Sequence, residues 1–168
     1  MPVKSSIAKV PKRAVPDEAF TLPIDDSLFF KLVRLVNLTA RPFSQTIGRA
    51  NQLSLNDWRA MLVLANHPGV AASEVALLTG LDKMTVSRSI AALEHRGRLI
   101  KREDTNDKRR TLLWLNAAGQ RLFERIGAPA KSREAQLFSV TSSAEQVQLS
   151  RTLDRLIASL LAADGEVV

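Results

Sequence analysis

The chain has 168 residues, a net charge of +7 and a pI near 10.4, with 45% hydrophobic residues and no cysteine. That length holds one domain with an appended dimerisation element, and the composition supports a core. The lack of cysteine excludes a disulfide framework, a Cys-ligated metal and a thiol redox switch. No run approaches the roughly 18 apolar residues of a membrane span, and no apolar stretch follows the basic N-terminus. A cytoplasmic protein is therefore expected, with no membrane partner.

Residues 1–25 are punctuated by Pro2, Pro11, Pro16 and Pro23 and show little periodicity, which predicts a mobile basic tail. Residues 26–168 read as one domain. Its first helix, Leu28 to Ile47, carries a wide stripe of Leu28, Phe29, Leu32, Val33, Leu35, Val36 and Phe43. Pro42 should kink or divide it. Between Ser27 and Asn56 there is no acid, although Lys31, Arg34, Arg41 and Arg49 are present. These bases are solvated, paired with another helix or subunit, or part of an anion-attracting region.

Ser54-Leu55-Asn56-Asp57 has the spacing of a capping box. The helix it opens carries Trp58, Met61, Leu62 and Leu64, and stops at His67-Pro68-Gly69. Ala72 to Thr79 is a short third helix. Gly80 supplies the positive φ of a tight turn, and Asp82 caps the next helix, Lys83 to Arg96. Val86, Ile90 and Leu93 form its buried stripe. Lys83, Thr85, Ser87, Arg88 and Met84 then lie on or near its exposed N-terminal end. Gly97 ends it. Residues 99–102 and 111–115 read as two strands around a polar tip, Glu103–Arg110.

Asn116 caps a helix with Leu122, Phe123 and Ile126, which Pro129 should kink or end. Ser142-Ser143-Ala144-Glu145 opens the last helix, whose stripe runs through Leu149, Leu153, Leu156, Ile157, Leu160 and Leu161. A stripe that long cannot be buried by the lobe alone, so it implies a partner helix. The fold class is all-α with a small β-wing: a winged lobe at about 54–115 and dimerisation helices at about 27–49 and 117–162.

Residues 83–110 hold nine bases against four acids, a net +5 in one segment. Coinciding with a helix-turn-helix, this points to a polyanion. The second helix of such a motif presents its N-terminal side chains to base edges in the major groove. Lys83 and Arg88 can donate to guanine, and Thr85 and Ser87 to a base or phosphate. Ser73 is placed to meet a phosphate. The tip, with Lys108, Arg109 and Arg110, has the size and charge for the adjacent minor groove. Asp107 orients Arg109, braces the turn, or is a plain turn residue. Nothing supports an enzyme: there are two His, no Tyr, no Gly-rich phosphate loop and no metal-spaced cluster, so no catalytic residue, metal or cofactor is expected. His67 and His95 read as helix-end residues.

These motifs resemble the MarR family of transcriptional regulators. The resemblance runs from Leu55-x-x-x-Arg59 and Ser73-Glu74-Val75-Ala76 through Thr85-Val86-Ser87-Arg88 and Leu93-Glu94-x-x-Gly97. It continues with Asp107-x-Arg109-Arg110 and Leu115-Asn116-Ala117-Ala118-Gly119, and covers roughly residues 28–161. Asn116 stands where the family usually has Thr; both cap helices. The resemblance implies a homodimer built from the terminal helices, a palindromic double-stranded operator, and most simply a repressor; an activator or a constitutive binder is the alternative. It also implies release by a small aromatic carboxylate or a related anion such as its CoA thioester. Phe29, Phe30, Val33, Trp58, Met61 and Leu62 can line such a pocket, with Arg34 or Arg59 meeting the carboxylate; the apolar members are equally candidates for the core.

Overall fold

The computed structural model describes Ile24 and residues 26–165, so the N-terminal tail expected from the prolines lies outside the described residues. The chain falls into two compact units, one ending at Arg41 and one beginning at Pro42. Most of α1 (Leu28–Phe43) belongs to the first. Ser27 Oγ accepts the Phe30 N–H at 3.2 Å and so caps it. The apolar stripe predicted here is present as a helix face, but only Phe43 at its end is buried: Leu28 and Phe29 are each 77% exposed, and Leu35, Val36 and Leu38 are also exposed.

The second unit starts at Pro42, which was expected to kink or divide the helix. The division is present: α1 ends at Phe43, one residue later. The chain continues through a π-helical turn, Ser44–Gly48, into α2 (Arg49–Asn51). Thr46 Oγ1 donates to the Pro42 carbonyl at 2.6 Å, which satisfies an oxygen that the widened turn displaces. Gln52 then adopts a left-handed conformation (φ 48°) and ends the run. The Ser54 capping box is formed in both directions and starts α3 (Leu55–Asn66).

The helix-turn-helix follows as α4 (Ala72–Thr79) and α5 (Lys83–His95), with Gly80 at φ 66° between them. β2 (Leu99–Glu103) and β3 (Thr111–Leu115) form the hairpin, with Leu99 opposite Leu115 and Glu103 opposite Thr111. A third strand, β1 (Val70–Ala71), was not anticipated; it pairs antiparallel with β3, giving the order β1-β3-β2. Two residues after a Pro-Gly turn carry no period, and only the exposed edge of β3 makes them a strand.

The core of this unit brings together Met61 and Leu64 of α3, Val75 of α4, Val86 and Leu93 of α5, and Leu113 of β3, all fully enclosed. The expected stripe of α5 is thus buried. Trp58 stacks between Phe43 and Phe123, with ring centroids 6.1 and 5.3 Å away. Asn116 Oδ1 accepts the Ala118 and Gly119 N–H groups and starts α6 (Ala117–Phe138), which passes Pro129 without ending. Glu145 and Ser142 close the last capping box and α7 (Ser143–Gly165) follows. Leu156, Ile157, Leu160 and Leu161 on it are exposed.

Gly119 is a point of close approach. A Cβ there would lie 2.2 Å from the Arg98 carbonyl oxygen, a backbone atom that cannot swing aside. Gly119→Ala should therefore destabilise the second unit by about 1–3 kcal/mol through overpacking. Urea denaturation checks this; an unchanged midpoint would show that the first turn of α6 can shift freely.

Candidate nucleic-acid interface

Asp82 builds the exposed end of α5. Its carboxylate accepts the Thr85 N–H at 2.8 Å and the Thr85 hydroxyl at 2.6 Å. These bonds, the hydroxyl's first, hold the Asp82 pKa below the ordinary carboxylate value. They also commit the one hydroxyl hydrogen of Thr85, so that side chain, expected to be free for DNA, can only accept. Lys83, Ser87 and Arg88 are exposed as expected, and Lys83 and Arg88 make no ion pair among the described residues. Ser73 is exposed in the first turn of α4.

The wing divides its bases into two kinds. Lys108 and Arg109 are exposed and unpaired among the described residues. Arg110, by contrast, donates to Glu74 Oε2 at 2.8 Å and lies 3.9 Å from Asp104. Its first task is to fasten the hairpin to α4. Glu74 Oε2 also accepts the Ala71 N–H at 2.8 Å. One carboxylate thus ends β1, starts α4 and holds the wing. Ala71 has no side-chain acceptor, so this is only the Glu half of a capping box. The signal for that half was present in the sequence as Glu at the third position of α4; its long-range partner was not. Asp107 braces the turn, accepting the Arg109 N–H at 3.0 Å on Oδ1, rather than orienting the guanidinium. Lys101 pairs with Glu94, and Arg102 lies over the Trp114 ring. The +5 segment therefore presents fewer free charges than it contains.

Arg98 belongs with the structural bases. It donates to the Asn51 carbonyl at 2.6 Å, while its Nη1 is buried without an acceptor. Burial, then neighbouring Arg96, lowers its pKa from the ordinary arginine value. Arg125 takes the other side of the same residue, donating to Asn51 Oδ1 at 2.9 Å.

The residues expected to line a ligand pocket separate. Met61 is wholly enclosed and Trp58 is buried in its aromatic stack, so both serve the core; their stripe has the period of any core-facing helix. Leu62 is partly exposed, and Arg59 donates to Asn56 Oδ1 at 3.1 Å. In the first unit Phe29, Phe30, Val33 and Arg34 are exposed. A feature the sequence reading missed is an open groove of about 370 Å³ within the second unit. Thr46, Ile47 and Ala50 line one side and Arg125, Ile126 and Pro129 the other.

Because the Asp82 pKa is lowered on folding, its contribution to stability is present above the ordinary carboxylate pKa. It is lost as pH falls through the lower folded value. Asp82→Asn keeps an acceptor but removes the charge. The stability difference between the wild-type chain and this variant should shrink as pH falls below about 4. A difference that stays constant from pH 6 to pH 3 would mean the carboxylate charge does nothing for α5.

Residues 51–110, which span the helix-turn-helix and most of the wing, match the family model described as the MarR family. The transcriptional regulator HosA of Escherichia coli O157:H7 is 31% identical over 106 residues, covering 60% of this chain and 77% of that protein. A MarR/EmrR family transcriptional regulator from Acinetobacter sp. ADP1 has the same fold, with a TM-score of 0.76 and 27% identity over 83% of this chain and 98% of its own. CouR from Rhodococcus jostii RHA1, solved bound to p-coumaroyl-CoA, shares the fold at a TM-score of 0.72 and 20% identity, covering 82% and 96% of the two chains. No helix among the described residues is long and apolar enough to cross a membrane. A basic winged helix-turn-helix joined to these relationships places the chain in the MarR family of DNA-binding transcriptional regulators, which are not enzymes.

Proposed function

We propose that this regulator is a repressor that binds a palindromic operator as a homodimer and is released by a small aromatic carboxylate or its CoA thioester. The observation that carries the DNA reading is a group of exposed bases on the helix-turn-helix and wing that make no ion pair among the described residues: Lys83 and Arg88 on α5, and Lys108 and Arg109 on the wing. A helix in the major groove with an arginine-bearing tip beside it matches that distribution. Ser73 and Ser87 supply phosphate or base contacts, and Arg110 contributes charge while holding the wing.

The uncovered apolar faces of α1 and α7 support self-association. Leaving side chains such as Phe29 and Leu160 in water forgoes about 25 cal/mol for each Å² that a second copy would cover. A two-fold dimer presents two recognition helices and so favours a palindrome. Seated over a promoter, it excludes the polymerase. The effector reading draws support from two features. The acid-free segment contains Lys31, Arg34, Arg41 and Arg49, and the apolar groove has Arg125 in its lining. CouR, bound to p-coumaroyl-CoA, shows this fold accommodating such a ligand. Release is a population shift, in which the ligand binds better to a conformer whose recognition helices are wrongly spaced.

Fluorescence anisotropy with a palindromic duplex selected from a random pool tests the reading. The wild-type chain should bind that duplex more tightly than a scrambled one, with an affinity that falls steeply with salt. Arg109→Ala should cost about 1–3 kcal/mol, and aromatic carboxylates or their CoA thioesters should weaken binding. Equal, salt-insensitive affinity for both duplexes would refute the DNA reading. Affinity and melting temperature untouched by every such ligand would refute the effector reading alone.

A further inference from the structure

The outward face of α5 carries one large apolar side chain that no part of the fold uses. At 100° per residue, Met84, Ser87, Arg88 and Ala91 share a face nearly opposite Leu93, and all four are exposed. Met84 is 61% exposed and stands outside the core cluster. Beside it, Thr85 would be the natural partner for a base, but its hydroxyl hydrogen is held by Asp82 at 2.6 Å. The first turn of the helix therefore offers a nucleic acid the ammonium of Lys83, the thioether of Met84 and, from Thr85, an acceptor only. Polar side chains free both to donate and to reach outward begin further along, at Ser87 and Arg88.

Among the base edges of the major groove, the one apolar group is the C5-methyl of thymine. A methionine suits it: the side chain is long, unbranched and polarizable, and it can adapt to the contact. The free cations Lys83 and Arg88 flank it in sequence and supply the attraction to the phosphates that a lone thioether lacks.

We propose that Met84 is a specificity-determining residue that packs on a thymine methyl in each half-site, biasing one position of the operator toward an A·T pair. This rests on α5 being the helix that enters the major groove. Ser87 and Arg88, on the same face, read the neighbouring pairs.

The test replaces thymines of the selected palindromic duplex one symmetric pair at a time by deoxyuridine, which removes the methyl and keeps every hydrogen-bonding group. Wild-type affinity should fall about fourfold per half-site at one position, the value of one buried methyl, and change little elsewhere. Met84→Ala, a surface change to a good helix former, should bind the thymine and deoxyuridine duplexes equally. Met84→Leu should restore the difference. A wild-type chain that binds every deoxyuridine duplex as well as the parent would overturn the proposal. So would a deoxyuridine penalty that survives in Met84→Ala. Absence of salt-sensitive binding to any duplex would instead remove the DNA reading beneath it.

Discussion

Where α5 ends, Gly97 takes φ 60° and turns the chain into Arg98, whose N–H donates back to the Leu93 carbonyl at 2.8 Å. With the Gly97 N–H on the Glu94 carbonyl, this is the paired closure of a Schellman cap. The same residue then makes two long-range attachments. Its carbonyl accepts the Asn116 N–H at 3.2 Å and abuts Gly119, so the first turn of α6 is seated directly on it. Its guanidinium donates to the carbonyl of Asn51 at the end of α2. Asn116 Nδ2 adds a bond to the Gly97 carbonyl at 2.8 Å. The position of α5 is thereby fixed against a long helix and against the segment that follows the π-helical turn. A displacement of either reaches α5 through these bonds and through the seat of Gly119 against the Arg98 carbonyl, where there is no room even for a Cβ.

A second division runs through the charges. Glu74, Glu94 and Asp104 are spent on Arg110 and Lys101, which hold the wing and β2 in place. Such exposed pairs add little to stability, up to about 1 kcal/mol each, but they select which bases remain for a polyanion. Among those that remain are Lys83 and Arg88 early in α5 and Lys108 and Arg109 at the tip of the wing, the two places from which side chains are proposed to reach the grooves. The arrangement resembles a tool with its handle and edge made of the same residue types, distinguished only by whether an acid stands nearby.

Much of this was legible in the sequence because the signals are local. The boxes at Ser54 and Ser142, the caps at Asp82 and Asn116, and the glycines at 80 and 97 each act within a few residues. All six end or begin an element in the structure. What was not legible joins distant positions. Arg110 to Glu74 spans 36 residues, Arg98 to Asn51 spans 47, and Arg125 to Asn51 spans 74. No period or motif announces such pairs. β1 was missed because its two residues become a strand only through β3. Pro42 marked where α1 ends, but the π-helical turn that follows, with the Thr46 hydroxyl on the Pro42 carbonyl, has no sequence signal of its own. Trp58 and Met61 could be read as pocket or core because a helix buries both with the same spacing.

In the proposed mode of binding, two copies of one basic lobe, each presenting α5 and a wing, engage one duplex. Hydroxyl-radical footprinting of the full chain on its selected duplex tests this most directly. Two protected segments are expected on one face of the DNA, related by a two-fold axis and centred about one or two helical turns apart. The flanking minor grooves should be covered by the wings. A single protected segment, or protection that ignores the symmetry of the site, would contradict it.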